Sequence, residues 1–338
     1  MVGGLAQARE SYLNRAWKEA CDGFLAERGE LRPDDLERLA VSAYLVGRTA
    51  ESDDAWRSAH RRHVDAGDVQ GAIRCAFWLG FRLVNAFERT EANAWIARLE
   101  RLVTAVPDDS VAQSRLDYLT GLRAAFDGDL GTATADLEHA AAIATRQGDE
   151  ELAALARLSL GRVRIFLGQI TAGVRLLDEA MLVVGSEPIS PIAVGDSYCT
   201  AIDACHDLYD VRRGQVWTDG LSRWCDQQPD LVPFAGVCQV HRAEFLQLKG
   251  AWVEAMAQVG LAKGAAGAAV PADRLRRRRL STGRTAPVAR RVRQGRGVLP
   301  RRQRGWSRPT ARLVVAAVTP GACRCCRSGH RPGDVRGR

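Results

Sequence analysis

Residues 127 to 140 read Asp-Gly-Asp-Leu-Gly-Thr-Ala-Thr-Ala-Asp-Leu-Glu-His-Ala, and their spacing is the main indication of the fold. Gly128 is followed after five residues by small Ala133, after nine by large Leu137 and after twelve by small Ala140. The two small residues stand seven apart on one stripe of a helix, where they let a neighbouring helix approach closely while the large residue fills the gap. The glycine before them indicates a tight turn. We call this pattern the small–large–small motif.

The motif recurs at an even step along the chain. Its copies begin at residues 47, 87, 128, 168, 209 and 250, a period of 40 or 41 residues. Besides the copy at Gly128, the copies are Gly47 with Ser52, Trp56 and Ala59; Phe87 with Ala92, Ile96 and Leu99; Gly168 with Gly173, Leu177 and Ala180; Tyr209 with Gly214, Thr218 and Leu221; and Gly250 with Ala255, Val259 and Ala262. A fixed period in this range predicts a repeat architecture.

Each repeat is predicted to be a helix, a tight turn and a second, antiparallel helix. A small residue stands seven positions before the motif in five of six copies: Ala40, Gly80, Gly121, Gly161 and Ala243, with Ile202 as the exception. Gly67-Asp68, Pro107-Asp108, Gly148-Asp149, Pro188 and Pro229-Asp230 separate the units, and we expect Gly and Pro to end helices and Asp to cap the next.

Such a hairpin cannot bury its apolar faces alone, so the units must stack. The sequence therefore predicts an all-α, right-handed superhelical solenoid of about seven hairpins over residues 1–262. The first hairpin, at residues 5–26, is degraded, and Arg15 stands where the glycine would be.

The small–large–small motif in helical hairpins resembles tetratricopeptide repeats, with a period longer than the usual ~34 residues. Three further runs resemble the repeat region of large bacterial LuxR-type transcriptional regulators: Arg74 to Phe81, Gln228 to Phe234, and Val240 to Glu244. The resemblance covers roughly residues 5 to 262. It implies that the repeats receive a signal or a partner, and that DNA binding belongs to a C-terminal helix-turn-helix, for which this chain shows no pattern.

The net charge of +8 is the sum of two unlike parts. Residues 263–338 hold 21 basic residues against Asp273 and Asp334, whereas residues 1–262 hold 27 basic and 38 acidic residues. The C-terminal part also lacks Glu, Phe, Tyr, Ile, Asn and Met. This composition predicts a disordered, Arg-rich tail.

The abrupt change near residue 263 motivates a second hypothesis, that the tail is a frameshifted reading of further repeats. Codons permitted for Thr285 to Gly297, read from their second bases, encode Leu-His-Arg-Leu-Arg-Gly-Glu-Phe-Gly-Lys-Ala-Glu. The glycine falls at codon 290, one period of 40 after Gly250, and an alanine follows it after five residues. We chose these codons from the degenerate set, so the nucleotide sequence is the test.

The sequence offers few candidate functional residues, and a purely structural role is an alternative for each of them. His60 and His63 lie one helical turn apart, but no Cys or carboxylate stands at a metal-site spacing, so buried side chains are favoured over a metal pair. Adjacent Cys205 and His206 point apart on a helix, which favours a buried thiol beside a surface histidine. The cluster Cys323, Cys325, Cys326 and His330 could bind zinc, but no predicted fold holds it.

Other residues fit structural roles. Trp17, Trp56, Trp78, Trp95, Trp217 and Trp252 recur at helical spacing and favour core positions over a base-stacking or ligand cage. Asp53-Asp54 and Glu150-Glu151 are expected at helix starts, where carboxylates favour the helix dipole.

The sequence therefore predicts no catalytic residue, cofactor or metal and no enzyme activity. It predicts a cytoplasmic effector-binding or protein-interaction module, the signal-receiving part of a LuxR-like regulator without its DNA-binding domain. A protein, peptide or small effector is expected in the concave groove, and the partner-binding residues stay unknown. The alternative is non-specific nucleic-acid binding by the basic tail, where the run Arg276 to Arg279 could contact phosphates.

Overall fold

The computed structural model describes residues 4–186, 189–228 and 230–266, and this part of the chain is all α-helical. Its fourteen helices pair in chain order into seven hairpins, as the period predicts. They are α1 (Gly4–Leu13), α2 (Trp17–Ala26), α3 (Pro33–Leu45), α4 (Thr49–Asp65), α5 (Val69–Asn85), α6 (Arg89–Thr104), α7 (Ser110–Asp127), α8 (Leu130–Gln147), α9 (Glu150–Phe166), α10 (Ile170–Ser186), α11 (Pro191–Asp207), α12 (Val211–Asp226), α13 (Ala235–Leu248) and α14 (Trp252–Ala266).

Every hairpin turns through one residue in the left-handed region. The residues are Gly47, Gly128, Gly168 and Gly250, together with the non-glycine residues Arg15, Phe87 and Tyr209, and their φ angles lie between 58° and 85°. The period therefore located six of the seven turns, and the degraded motif of the first hairpin located the turn at Arg15. Three of the seven turns place a side chain in a conformation that favours glycine.

The small–large–small motif packs as predicted. Ala133, Leu137 and Ala140 are fully buried. A Cβ atom placed on Gly121, in the first helix of the same hairpin, would lie 2.9 Å from Leu137 Cγ. In the next hairpin a Cβ on Gly173 would lie 2.5 Å from the carbonyl oxygen of Gly161. The small residues are thus what allows the two helices of a hairpin to approach this closely.

The helix caps confirm part of the predicted punctuation and correct the rest. Asp68 and Asp149 accept hydrogen bonds from the backbone N–H groups of Gly71 and Leu152, as N-cap residues do. The prediction for Asp108 was wrong by one position, because Asp109 caps α7.

The prediction for Asp230 was also wrong. α13 begins five residues later, at Ala235, and the Asp230 carboxylate instead accepts a hydrogen bond from the backbone N–H of Lys18, 3.3 Å away.

The connection between α12 and α13 packs against the first two hairpins. The Trp17 indole N–H donates to Gln228 Oε1 at 3.1 Å, and the Val232 N–H donates to the Leu45 carbonyl at 2.9 Å. The rings of Tyr44 and Phe234 lie 6.3 Å apart. The array is therefore curved enough for its sixth and seventh hairpins to contact its first and second.

The predicted boundary of the tail at residue 263 was wrong, because α14 continues to Ala266. Several predictions lie outside the described residues: the disorder of the rest of the tail with its arginine run, the zinc-like cluster at residues 323–330 and the frameshift. The handedness of the superhelix stays a prediction. Within the described ranges, no helix is both long and apolar enough to cross a membrane.

Candidate functional site

The repeat pattern predicts a partner on the inner surface of the array. From α5 to α13 each odd-numbered helix contacts the next odd-numbered helix, so these helices form the inner layer. Between the second, third and sixth hairpins lies an enclosed cavity lined by Tyr44, Trp56, Phe81, Arg82 and Ile192, among others. Its volume is about 10 Å³, room for a single water molecule. A ligand at this place would require the hairpins to separate.

A larger cleft lies across the even-numbered helices α4 and α6 and the residues after α2. It holds about 470 Å³ and is lined by Arg28, Asp54, Arg57, Ser58, Arg61, Trp95 and Arg98. We call it the arginine cleft. Its volume falls in the range of ~300–1,000 Å³ that small-molecule sites occupy.

The electrostatics of the arginine cleft are mainly cationic. Arg57 forms ion pairs with Asp54 at 3.3 Å and Glu91 at 2.9 Å. Within the described part of the chain, no carboxylate forms an ion pair with Arg28, Arg61 or Arg98, and all three are exposed. Three guanidinium groups are thus available to an anion, which they could bind with paired, coplanar hydrogen bonds.

Trp95 adds an aromatic surface to the cleft. Its indole is half-buried, with the Arg98 guanidinium carbon 5.4 Å from the ring centroid and the His60 ring edge-on at 5.1 Å. These contacts fix the ring in place. A fixed indole beside cations can hold the flat ring of a ligand whose charged part contacts the arginines.

A second cluster lies where α3, α4 and α5 meet. Oxygen, nitrogen and sulfur atoms of Glu37, His63 and Cys75 all lie within 4.8 Å of one another. Glu37 Oε1 is 2.8 Å from His63 Nε2. Cys75 is fully buried, and burial raises the pKa of its thiol well above the usual range. These three residues could hold a metal ion.

Neighbouring groups orient this cluster. Asp68 Oδ2 lies 2.7 Å from the other ring nitrogen of His63, and Arg74 donates two hydrogen bonds to the Glu37 carboxylate, at 2.8 and 2.7 Å. Gly71 makes room for the ring, since a Cβ there would overlap His63 and lie 2.5 Å from Asp68 Oδ2. His63 is thus held between two carboxylates in a fitted position.

From the sequence, His63 was paired only with His60. The cluster gave no sequence signal, because its members come from three different helices. His60 is buried as expected, and its Nδ1 lies 3.0 Å from the Ala72 carbonyl oxygen. A carboxylate and a thiol on the flanking helices, 26 and 12 residues from His63, give no recognisable spacing.

The remaining candidates are mostly structural. Cys205 is buried, which raises the pKa of its thiol to about 12, and half-buried His206 packs edge-on against Phe245. Trp17, Trp56 and Trp78 are core residues, as predicted, and Trp95 and Trp217 are half-buried. Trp252 is the exception, because it is 37% exposed.

One prediction about the acidic pairs was wrong. Glu150 and Glu151 do lie in the first turn of α9, but Asp53 lies beyond the first turn of α4. Asp53 is buried and faces Arg82, with Oδ1 2.5 Å from Nε. Burial outweighs the arginine and raises the Asp53 pKa to about 6. Its role is a buried ion pair between the second and third hairpins.

Comparison of the chain with protein-family models finds no family that matches it. Comparison with curated proteins finds no significant match.

Proposed function

We propose that the helical array is the signal-receiving module of a LuxR-like regulator, and that it binds a small anionic effector in the arginine cleft. The observation that carries the proposal is the cleft itself: three arginines without acidic partners in the described structure line it together with the Trp95 indole. The cleft is also large enough for a small molecule, whereas the cavity between the second, third and sixth hairpins has room for a single water molecule.

The chemistry of the cleft favours an effector with phosphate or carboxylate groups and a flat ring. Guanidinium groups pair with both anions in a bidentate manner, and the Trp95 indole would stack on the ring. The chain is expected to act by binding alone, since none of the described cleft residues is a nucleophile paired with a base.

Titration calorimetry with ATP as the probe tests the proposal. We expect binding that weakens as salt rises, with inorganic pyrophosphate binding more weakly because it has no ring. Arg61→Ala with Arg98→Ala should weaken ATP binding by about tenfold or more, as expected for a loss of ~1.4 kcal/mol. Arg146→Ala, an exposed arginine on α8, is the control. Equal ATP affinity in the wild type and the double variant would show that the arginine cleft is not the binding site.

The charge of the tail supports a second candidate, non-specific nucleic-acid binding. Residues 263–338 hold 21 basic residues against two acidic ones. Binding of duplex DNA by the tail should fall steeply with salt and show no sequence preference, because each phosphate contact releases counterions. Replacing Arg276 to Arg279 by serine should reduce the salt dependence. DNA binding that discriminates between sequences would contradict this candidate.

A further inference from the structure

We propose that Glu37, His63 and Cys75 form a zinc site, with Glu37 Oε1, His63 Nε2 and Cys75 Sγ as its ligands. The donor set is one oxygen, one nitrogen and one sulfur. This mixture suits Zn²⁺, which binds carboxylate, imidazole and thiolate ligands, better than Mg²⁺ or Ca²⁺, which prefer oxygen alone.

The spacing of the donor atoms fits a zinc ion after small movements. Zn²⁺ binds oxygen and nitrogen at about 2.0–2.2 Å and sulfur at about 2.3 Å, so tetrahedral ligand atoms stand roughly 3.3–3.8 Å apart. One donor atom from each of the three residues already lies within 4.8 Å of the other two. The shortest separation, 2.8 Å between Glu37 Oε1 and His63 Nε2, must widen by about half an ångström.

The surrounding groups are those that orient zinc ligands. The carboxylate of Asp68 accepts the Nδ1–H of His63, which leaves Nε2 for the metal. Arg74 holds the Glu37 carboxylate through both oxygens, and Oε1 keeps a second lone pair for the ion. Gly71 admits the imidazole into this position. Glu37 is 15% exposed, which gives the ion a path of entry and allows water as the fourth ligand.

The charges of the ligands also suit the ion. Zn²⁺ binds a carboxylate, an imidazole nitrogen and a thiolate, so the Cys75 thiol proton leaves for solvent as the three metal bonds form. The negative charges of the Glu37 carboxylate and the Cys75 thiolate then offset the two positive charges of Zn²⁺ in this buried place.

The position of the site gives it a role in holding the array together. Its ligands belong to α3, α4 and α5, so bound zinc would link the second hairpin to the third. Because the metal binds the folded arrangement, it should raise the thermal stability of the chain.

The experiment uses the full chain with Cys323, Cys325 and Cys326 replaced by serine, which removes the other cysteine-rich cluster as a source of zinc binding. The chain is stripped with a chelator and dialysed against Zn²⁺ alone, and bound zinc is measured by atomic emission. We expect one ion per chain and a higher midpoint of thermal unfolding. Co²⁺ in place of Zn²⁺ should produce a thiolate-to-cobalt charge-transfer band.

Variants identify the ligands. Cys75→Ser and His63→Gln should each weaken zinc binding by at least about 100-fold, and Cys75→Ser should abolish the cobalt band. Asp68→Asn, which acts through His63, should cost about 10- to 100-fold. His60→Gln is the matched control, a buried histidine one turn away, and should bind zinc normally. Circular dichroism checks that each variant is folded. If a ligand variant does not fold, zinc binding is measured in Glu37→Gln in its place.

Two results would overturn the proposal. One is a stripped background protein that takes up no zinc and shows no cobalt band. The other is zinc uptake that Cys75→Ser, His63→Gln and Glu37→Gln, each folded, leave unchanged.

Discussion

At Gly128 the backbone has a φ of 85°, and a Cβ there would meet no atom within 4 Å. Any cost of a side chain at this turn is therefore conformational and not steric. We expect Gly128→Ala to destabilise the chain by about 1 kcal/mol, since the left-handed region disfavours residues with a Cβ. The free energy of unfolding, from urea titration, measures this cost.

Gly185 offers a matched control for that variant. It lies in α10 with no positive φ, and a Cβ there also meets nothing within 4 Å. Gly185→Ala should leave the stability unchanged or raise it by up to about 1 kcal/mol, because alanine favours the helix. If both variants change stability in the same direction, backbone conformation is not what selects glycine at the turns.

The large residue of the small–large–small motif makes a second residue-scale prediction. Leu137 is fully buried beside Gly121. Leu137→Asp should destabilise the chain by ~3 kcal/mol or more, because it buries a charge without a partner. Leu13→Asp is the control, since Leu13 is 78% exposed. A thermal unfolding midpoint for Leu137→Asp equal to that of the wild type would show that the motif does not mark the packing centre.

At the scale of the helix, the start of α3 depends on Asp35. Its side chain is fully buried, accepts two hydrogen bonds from Arg9, at 2.8 and 2.6 Å, and accepts one from the Arg32 backbone N–H. The Arg9 hydrogen bonds are the main reason that the Asp35 pKa is lowered to about 2. The Asp35 carboxylate thus links the first hairpin to the second, as the ion pair between Asp22 and Arg48 also does.

This lowered pKa predicts a pH dependence. The unfolded chain binds a proton at Asp35 near pH 4 and the folded chain only near pH 2, so the stability from Asp35 is present above about pH 4 and is lost as the pH falls through 2. Arg9→Ala should lower the midpoint of thermal unfolding at about pH 6. Between about pH 5 and pH 2.5, the midpoint of this variant should then fall less than that of the wild type. An unchanged pH profile in Arg9→Ala would contradict the assignment.

The helices also show what the sequence could predict. Period and motif located the hairpin turns even at Arg15, Phe87 and Tyr209, because stacking imposes the same geometry on every repeat. Local sequence signals predicted the starts of the helices less accurately. The cap of α7 is Asp109 and not Asp108, since neighbouring acids offer nearly equal caps. The Glu37–His63–Cys75 cluster and the arginine cleft gave no signal, because each depends on how separate helices pack.

At the scale of the molecule, contacts between distant hairpins complete the array. Phe234 is buried, its ring lies 6.3 Å from Tyr44 and 5.8 Å from Trp224, and it covers Gly195, where a Cβ would overlap the ring. One side chain thus packs against both the second and the sixth hairpin. In a linear stack, each unit would contact only its neighbours.

Phe234→Ala should therefore act far from its own position in the chain. We expect a loss of ~3 kcal/mol or more, as for other buried phenylalanines, and faster amide exchange in the distant helices α2 and α3 of the first two hairpins. Phe126→Ala is the control, since this half-buried ring contacts Phe87 within its own neighbourhood of hairpins. It should speed exchange only near α6 and α7. If Phe234→Ala leaves exchange in α2 and α3 unchanged, the Phe234 ring does not hold the first two hairpins against the sixth and seventh.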